Sequence, residues 1–204
     1  MSTKEQIVIV DDDCDFRDSL KDLLDVSGFT VIAYDTAQHL LEVSHPDATC
    51  LIADIRMPGM DGLELQKELN ARGSTLPVII MTGHGDVPLA VRAMRAGAVD
   101  FLEKPFELPV LLDSIDRARQ QHSREAEKSN EMRRALDKIA LLTEREKEVF
   151  DLLVVGHQNK VIANKLDISP RTVEVHRSRI IEKTGAKGLP DLVHLAIAAG
   201  RDQD

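Results

Sequence analysis

Five runs in the first half of the chain are apolar on consecutive positions: Gln6–Val10, Phe29–Ala33, Thr49–Ala53, Pro77–Met81 and Ala98–Leu102. A strand that shows one face to water alternates apolar and polar residues. A run without alternation predicts a strand buried on both faces. Between the runs the apolar residues take helical spacing: Phe16, Leu20, Leu23 and Leu24; Leu40 and Leu41; Leu63, Leu65 and Leu69; Leu89, Val91 and Met94; then Val110, Leu111, Leu112 and Ile115. Gly28 and Gly73 stand just past the first and third of these stretches, where helices commonly stop. The alternation predicts an α/β domain, doubly wound around a five-stranded parallel sheet. Such sheets carry their sites at the carboxyl ends of the strands.

The pattern then changes. Between Arg119 and Glu131 almost nothing is apolar, and there is no Pro or Gly. This stretch predicts a solvated helix that continues one beginning near Glu107. Met132, Ala135, Leu136, Ile139 and Leu142 recover a helical spacing too short for a coiled-coil seam. Thr143-Glu144-Arg145-Glu146 fits a capping box, and the helix it opens carries Val149, Phe150, Leu152 and Leu153 up to Gly156. A short helix follows with Val161, Ile162, Ala163 and Leu166. Ser169-Pro170 opens a third, running to about Thr184, and Leu189–Ala199 gives a fourth. Two short helices joined by Asp167-Ile168-Ser169 meet the helix-turn-helix description. In the third helix Val173, Ile180 and Thr184 share one face with His176 or Arg177. Arg171, Glu174, Val175, Ser178 and Glu182 fall mainly on the other. The expected division is a domain over 1–123, a helical linker over 124–142 and an all-α four-helix domain over 143–204.

With 43% apolar and 30% charged residues the chain is neither a disordered nor a collagen-like one. No apolar run approaches the ~20 residues of a membrane span, and the first residues lack a signal-peptide stretch, so a cytoplasmic protein is expected. Cys14 and Cys50 cannot build a disulfide framework or a zinc site; both are expected to be small core fillers. The net charge of −9 speaks against a nucleic-acid binder until it is divided. Residues 1–123 carry −10, residues 124–204 carry +1, and 157–190 alone carry +4.

The candidate chemistry lies at the strand ends. The first run leads into Asp11-Asp12-Asp13, the third into Asp54, the fourth into Thr82, and the fifth is followed by Lys104-Pro105. Two carboxylates ~4 Å apart repel by roughly 1 kcal/mol in water and about 4 kcal/mol at an effective dielectric of 20. Such a cluster calls for a hard divalent cation, and all-oxygen ligands suit Mg²⁺. A carboxylate beside a metal, a lysine and a hydroxyl can accept a phosphoryl group. Asp13, the third acid of the run, is expected to be solvated.

These residues carry a resemblance. Val8-Ile9-Val10-Asp11-Asp12-Asp13, Asp54-Ile55-Arg56-Met57-Pro58-Gly59-Met60-Asp61-Gly62, Thr82-Gly83 and Phe101-Leu102-Glu103-Lys104-Pro105-Phe106 make residues 1–123 similar to the receiver domains of two-component response regulators. That resemblance implies a flavodoxin-like fold with strand order 2-1-3-4-5, for which a receiver is a standing example. It also implies that Asp54 is the phospho-acceptor and that Asp11, Asp12, Asp54 and the backbone carbonyl of Arg56 hold Mg²⁺. Thr82 and Phe101 would be a switch pair, and Lys104 would contact the phosphate. Haloacid-dehalogenase-like phosphatases use similar parts, but place a second acid two residues after the nucleophile. Arg56 stands there in this chain and cannot serve as general acid or base. A phospho-acceptor with at most slow self-dephosphorylation is therefore expected, not an enzyme.

Leu142-Thr143-Glu144-Arg145-Glu146, Asn159-Lys160-Val161-Ile162-Ala163 and Ser169-Pro170-Arg171-Thr172-Val173-Glu174-Val175-His176 make residues 143–200 similar to LuxR/NarL-type output domains. A protein-binding output module is the alternative. By helical period, Glu174, Val175 and Ser178 are expected to face base edges, and Lys160, Arg171, Thr172, Arg179 and Lys187 to meet phosphates. With Thr82-Gly83-His84-Gly85-Asp86 and Gly97-Ala98-Val99-Asp100-Phe101, the chain resembles the FixJ-like activators of nitrogen-fixation genes. The resemblance implies a FixL-like sensor histidine kinase sensing oxygen through haem. It also implies promoter DNA, RNA polymerase and a homodimer formed on phosphorylation.

Overall fold

A computed structural model describes residues 5–43, 45, 47–83, 85 and 87–201. His84 and Asp86 of the motif above lie outside the described residues. The chain forms two compact units, Met1–Glu125 and Ala126–Asp204.

In the first unit β1 (Gln6–Val10), β2 (Thr30–Tyr34), β3 (Ala48–Asp54), β4 (Val78–Thr82) and β5 (Asp100–Glu103) form one parallel sheet. Its order is β2-β1-β3-β4-β5. The intervening helices are α1 (Cys14–Val26), α2 (Ala37–Leu41), α3 (Gly62–Ala71) and α4 (Val87–Arg95). Strand alternation sends Val8, Val10, Leu51, Ala53 and Ile80 to one face, against Leu40, Leu63, Leu65 and Ala93. It sends Ile7, Ile9, Cys50, Ile52, Ile79 and Met81 to the other, against Leu20, Leu24, Leu111 and Ile115. Both faces are covered, which is why the runs carry no polar alternation.

Of the five strands, β1 keeps the expected bounds, and β2, β3, β4 and β5 differ from their apolar runs by one or two residues at each end. The second strand starts at Thr30, because the backbone N–H of Phe29 is still tied to the carbonyl of Leu24, closing α1 through Gly28 at φ +98°. The fourth strand extends through Thr82. The fifth starts at Asp100, because Val99 bonds back to Val78 ahead of the paired register. Cys14 is a correction: it is exposed as the first residue of α1, beyond the end of β1, and only Cys50 fills the core. Burial pushes the Cys50 thiol up to about 12.

Helix α5 (Leu108–Ala140) runs without interruption for 33 residues. Pro109 sits in its first turn, where no intrahelical N–H is lost, and the polar stretch continues the helix as expected. Its last turns belong to the second unit. Ile139, with Leu142 beyond the helix end, joins Val149, Phe150, Ile162, Val173 and Leu192 in that unit's core, and Ala135 one turn earlier is buried as well. The segment expected to be a linker therefore ends inside a core. The helices that follow are α6 (Glu144–Val154), α7 (Asn159–Leu166), α8 (Pro170–Thr184) and α9 (Leu189–Ala198). Among the described residues, no helix is long and apolar enough to cross a membrane.

Candidate functional site

Parallel strands all end at one edge of the sheet, so Asp11 after β1, Asp54 closing β3 and Lys104 after β5 meet there despite wide separation in sequence. Asp11 is fully buried and Asp54 only 6% exposed. The Lys104 ammonium bridges them. Its Nζ donates to Asp11 Oδ2 at 2.6 Å and to Asp54 Oδ1 at 2.7 Å. The remaining carboxylate oxygens accept backbone N–H groups, Asp11 Oδ1 from Asp13 at 3.0 Å and Asp54 Oδ2 from Arg56 at 2.6 Å. Lys104 is itself placed by its own N–H, which bonds the carbonyl of Thr82 at 2.7 Å. Thr82 is fully buried at the end of β4. Phe101, half-buried in β5 opposite Ile80, packs against the core on the α3–α4 side.

Burial raises the Asp11 carboxyl, and Lys104 opposes the rise without cancelling it. Burial alone would lower the Lys104 ammonium, but its hydrogen bonds to Asp11 and Asp54 outweigh that and hold it above the usual lysine range. The site therefore keeps a cation against two buried carboxylates, with the exposed Asp12 beside them. One lysine leaves the three acids in excess of positive charge. The available donors are all oxygen, which fits a hard cation such as Mg²⁺. Among the described residues no three acidic, His or Cys side chains already converge as a ligand cage. Asp13 is solvated as expected and also caps α1, its carboxylate accepting from the N–H groups of Asp15 and Phe16.

Three residues here escape sequence reading. Arg17 donates to the Asp11 carbonyl at 2.6 Å. Phe16 lies under the Lys104 ammonium, 3.9 Å from Nζ to ring centroid. Gly62 presses its backbone against the Asp54 peptide, and a Cβ there would stand 2.3 Å from the Asp54 carbonyl oxygen. The Pro58-Gly59 and Gly62 loop signal marks a turn, but not this approach.

The second unit presents a helix-turn-helix. Asp167 takes the left-handed conformation at φ 52° to end α7, Ser169 caps α8 through the N–H of Thr172, and Pro170 opens it. Arg177 Nη1 of α8 donates to Asn159 Oδ1 of α7 at 2.7 Å, fixing one helix on the other. Val173, Ile180 and Thr184 are buried. Arg171, Glu174, Val175, Ser178 and Arg179 are exposed on α8, as are Lys160 on α7 and Lys187 beyond α8. Thr172 is half-buried, its hydroxyl 2.8 Å from that of Ser169. The Ser178 hydroxyl donates to the Glu174 carbonyl at 3.1 Å. His176 is half-buried, with Nδ1 shielded from water.

Two family models match the chain: the response regulator receiver domain over residues 7–116, and the luxR family of bacterial regulatory proteins over 140–196. The transcriptional regulatory protein FixJ of Bradyrhizobium diazoefficiens is 47% identical over 206 residues, covering 100% of both chains. The solved response regulator StyR is 41% identical, covers 96% of this chain and 99% of its own, and superposes with a TM-score of 0.79. Full-length FixJ from B. japonicum is 46% identical, covers 99% and 100%, and superposes with a TM-score of 0.58. With a receiver's sheet edge in one unit, a LuxR-type helix-turn-helix in the other and FixJ similarity along its whole length, this chain belongs to the FixJ-like response regulators, transcriptional regulators of two-component systems.

Proposed function

We propose that Asp54 accepts a phosphoryl group from a sensor histidine kinase and that the modified receiver dimerises and drives the output domain onto promoter DNA. The observation that carries this reading is the buried Asp54 carboxylate, bridged to Asp11 by Lys104 at the open edge of the sheet. A carboxylate oxygen of Asp54 attacks phosphorus, the bond from phosphorus to the donor's imidazole nitrogen breaks, and the imidazole leaves with that electron pair. Lys104 offsets charge on the transferring oxygens, and the Thr82 hydroxyl donates to one of them. Asp11, Asp12, Asp54 and the Arg56 carbonyl would hold Mg²⁺, which supplies positive charge against the phosphoryl oxygens when bound. The Arg56 N–H already bonds Asp54, and its side chain offers no acid or base to activate a water against the acyl phosphate. The protein accordingly works as a phospho-acceptor with slow self-dephosphorylation, not as a phosphatase.

Resemblance to FixJ extends the proposal to a cytoplasmic activator of nitrogen-fixation or oxygen-responsive genes, with a FixL-like kinase upstream and RNA polymerase as the downstream partner. The exposed outer face of α8 supports a DNA-contacting output over a protein-binding one, since it sits within the local basic surplus of residues 157–190. A mobility-shift series with and without acetyl phosphate, using Asp54→Asn as control, tests the whole reading. A phosphodonor-dependent shift lost in Asp54→Asn is expected.

A further inference from the structure

The Lys104 ammonium meets two carboxylates and one aromatic face. Two of its three N–H groups are committed to Asp11 and Asp54. The ring of Phe16 lies beneath it with the centroid 3.9 Å from Nζ. Phe16 comes from the first turn of α1, where Asp13 ties its backbone N–H at 3.1 Å. Its ring is held edge-on by Phe106, with centroids 6.1 Å apart and planes at 84°. Phe106 follows Lys104 by only two residues, so one short segment supplies both the cation and the brace for the ring. The Lys104 side chain is left 16% exposed. A cation within about 6 Å of a ring face is attracted by the ring quadrupole, more strongly where water is excluded.

We infer that Phe16 is a positioning residue for phosphoryl transfer, holding the Lys104 ammonium in place beside Asp54. The inference rests on Asp54 being the phospho-acceptor. Without the aromatic face, the flexible four-carbon stem of lysine can swing toward solvent, since only the two carboxylates would then restrain it. The charge that Lys104 brings to the transferring oxygens would be delivered in fewer encounters. A leucine at this position keeps apolar contact with the core but has no quadrupole. A tyrosine keeps both.

The test uses the full chain and two readouts. In the unphosphorylated protein, protons held over an aromatic face resonate upfield. The Lys104 ε-methylene signal, assigned by its loss in Lys104→Arg, is expected upfield in the parent and in Phe16→Tyr. It should relax to an ordinary lysine position in Phe16→Leu and Phe16→Met. The second readout is the rate of labelling by acetyl phosphate with Mg²⁺. Phe16→Leu and Phe16→Met should label roughly three- to tenfold more slowly, with Phe16→Tyr restoring the parent rate. A folded Phe16→Leu or Phe16→Met that labels at the parent rate overturns this inference alone, as does a Phe16→Tyr as slow as Phe16→Leu. An unlabelled parent overturns the acceptor reading and this inference with it, while the upfield signal still reports the contact.

Discussion

Lys183 in the last turn of α8 donates to Glu146 in the first turn of α6 at 2.6 Å, an ion pair in which the Glu146 carboxylate is almost wholly buried. Glu146 also accepts the N–H of its own cap, Thr143, at 2.8 Å. One carboxylate thus closes a capping box and ties the first helix of the output core to the end of the helix-turn-helix. Lys183 first, and then the Thr143 N–H, hold its carboxyl down at about 2, against 4.5 for a free glutamate. A carboxyl lowered in the folded state contributes stability that is fully present above pH 4.5 and lost as pH falls through that window toward about 2. Glu146→Gln should lower the stability of the output unit by about 1–3 kcal/mol at neutral pH. Thermal unfolding from pH 7 down to pH 2.5 should show the gap between parent and variant narrowing below pH 4.5. A gap unchanged across that range would mean that the ionised pair is not its source.

Gly62 is needed for space and not for its dihedral freedom. Its missing Cβ would meet the Asp54 carbonyl oxygen at 2.3 Å and the Asp54 carbonyl carbon at 3.0 Å. Backbone cannot yield as a side-chain tip can. Gly62→Ala should therefore cost the receiver about 1–3 kcal/mol and slow labelling of Asp54 by displacing its peptide. Denaturant unfolding of the full chain checks the first effect. Parent-like stability and labelling would show that the α3 start relaxes freely.

The outer face of α8 should divide between phosphates and bases. Loss of Lys160, Arg171, Arg179 or Lys187 should weaken all DNA sequences alike and reduce the salt slope by about one. The half-buried Thr172 should contribute less than these cations, since its hydroxyl already meets Ser169. Glu174, Val175 and Ser178 should face base edges. Glu174→Ala should relax preference at one base pair, a discrimination on the order of 1–3 kcal/mol. Binding to operators varied one base pair at a time decides it. The roles are reversed if Glu174→Ala preserves every relative preference while Arg171→Ala alters one.

Phosphorylation should make the receiver dimerise through Val87–Ala96 and Glu107–Arg117. On that surface Val87 is 77% exposed, and Val91, Met94 and Val110 are also open to solvent. A phosphoryl group adds about −1.5 to −2 charge with strong acceptor oxygens. Thr82 would turn to it, and the Phe101 ring would follow into the space left behind. Half-sites about 10 base pairs apart are then expected in the operator. Sedimentation with and without acetyl phosphate measures the change; a monomer at micromolar concentration in both would refute it.

Asp11, Asp54 and Thr82 can be read from the sequence because each directly follows an apolar strand run, and Lys104 because it stands two residues past the fifth. Parallel topology then forces those ends onto one edge. The fold follows from the same runs, and the helix-turn-helix from the caps at Thr143 and Ser169, since caps act over three residues. What stays hidden depends on side chains from distant segments. Phe16 reads as one apolar member of a helix stripe, and no spacing says that Lys104 lands on its ring. Lys183 and Glu146 each look like a surface charge until α6 and α8 are packed. Cys14 misleads because it follows an apolar run without belonging to it. Ile139 reads as the end of a linker, since its core partners begin only at Leu142 and lie mostly beyond Thr143.

The most direct test of the account is the site of phosphorylation itself. The purified chain is incubated with acetyl phosphate and Mg²⁺, and the adduct is mapped by mass spectrometry. One label on Asp54, absent in Asp54→Asn and blocked when Mg²⁺ is chelated, is the predicted result. Label on any other residue of the parent, or undiminished label in Asp54→Asn, would contradict it.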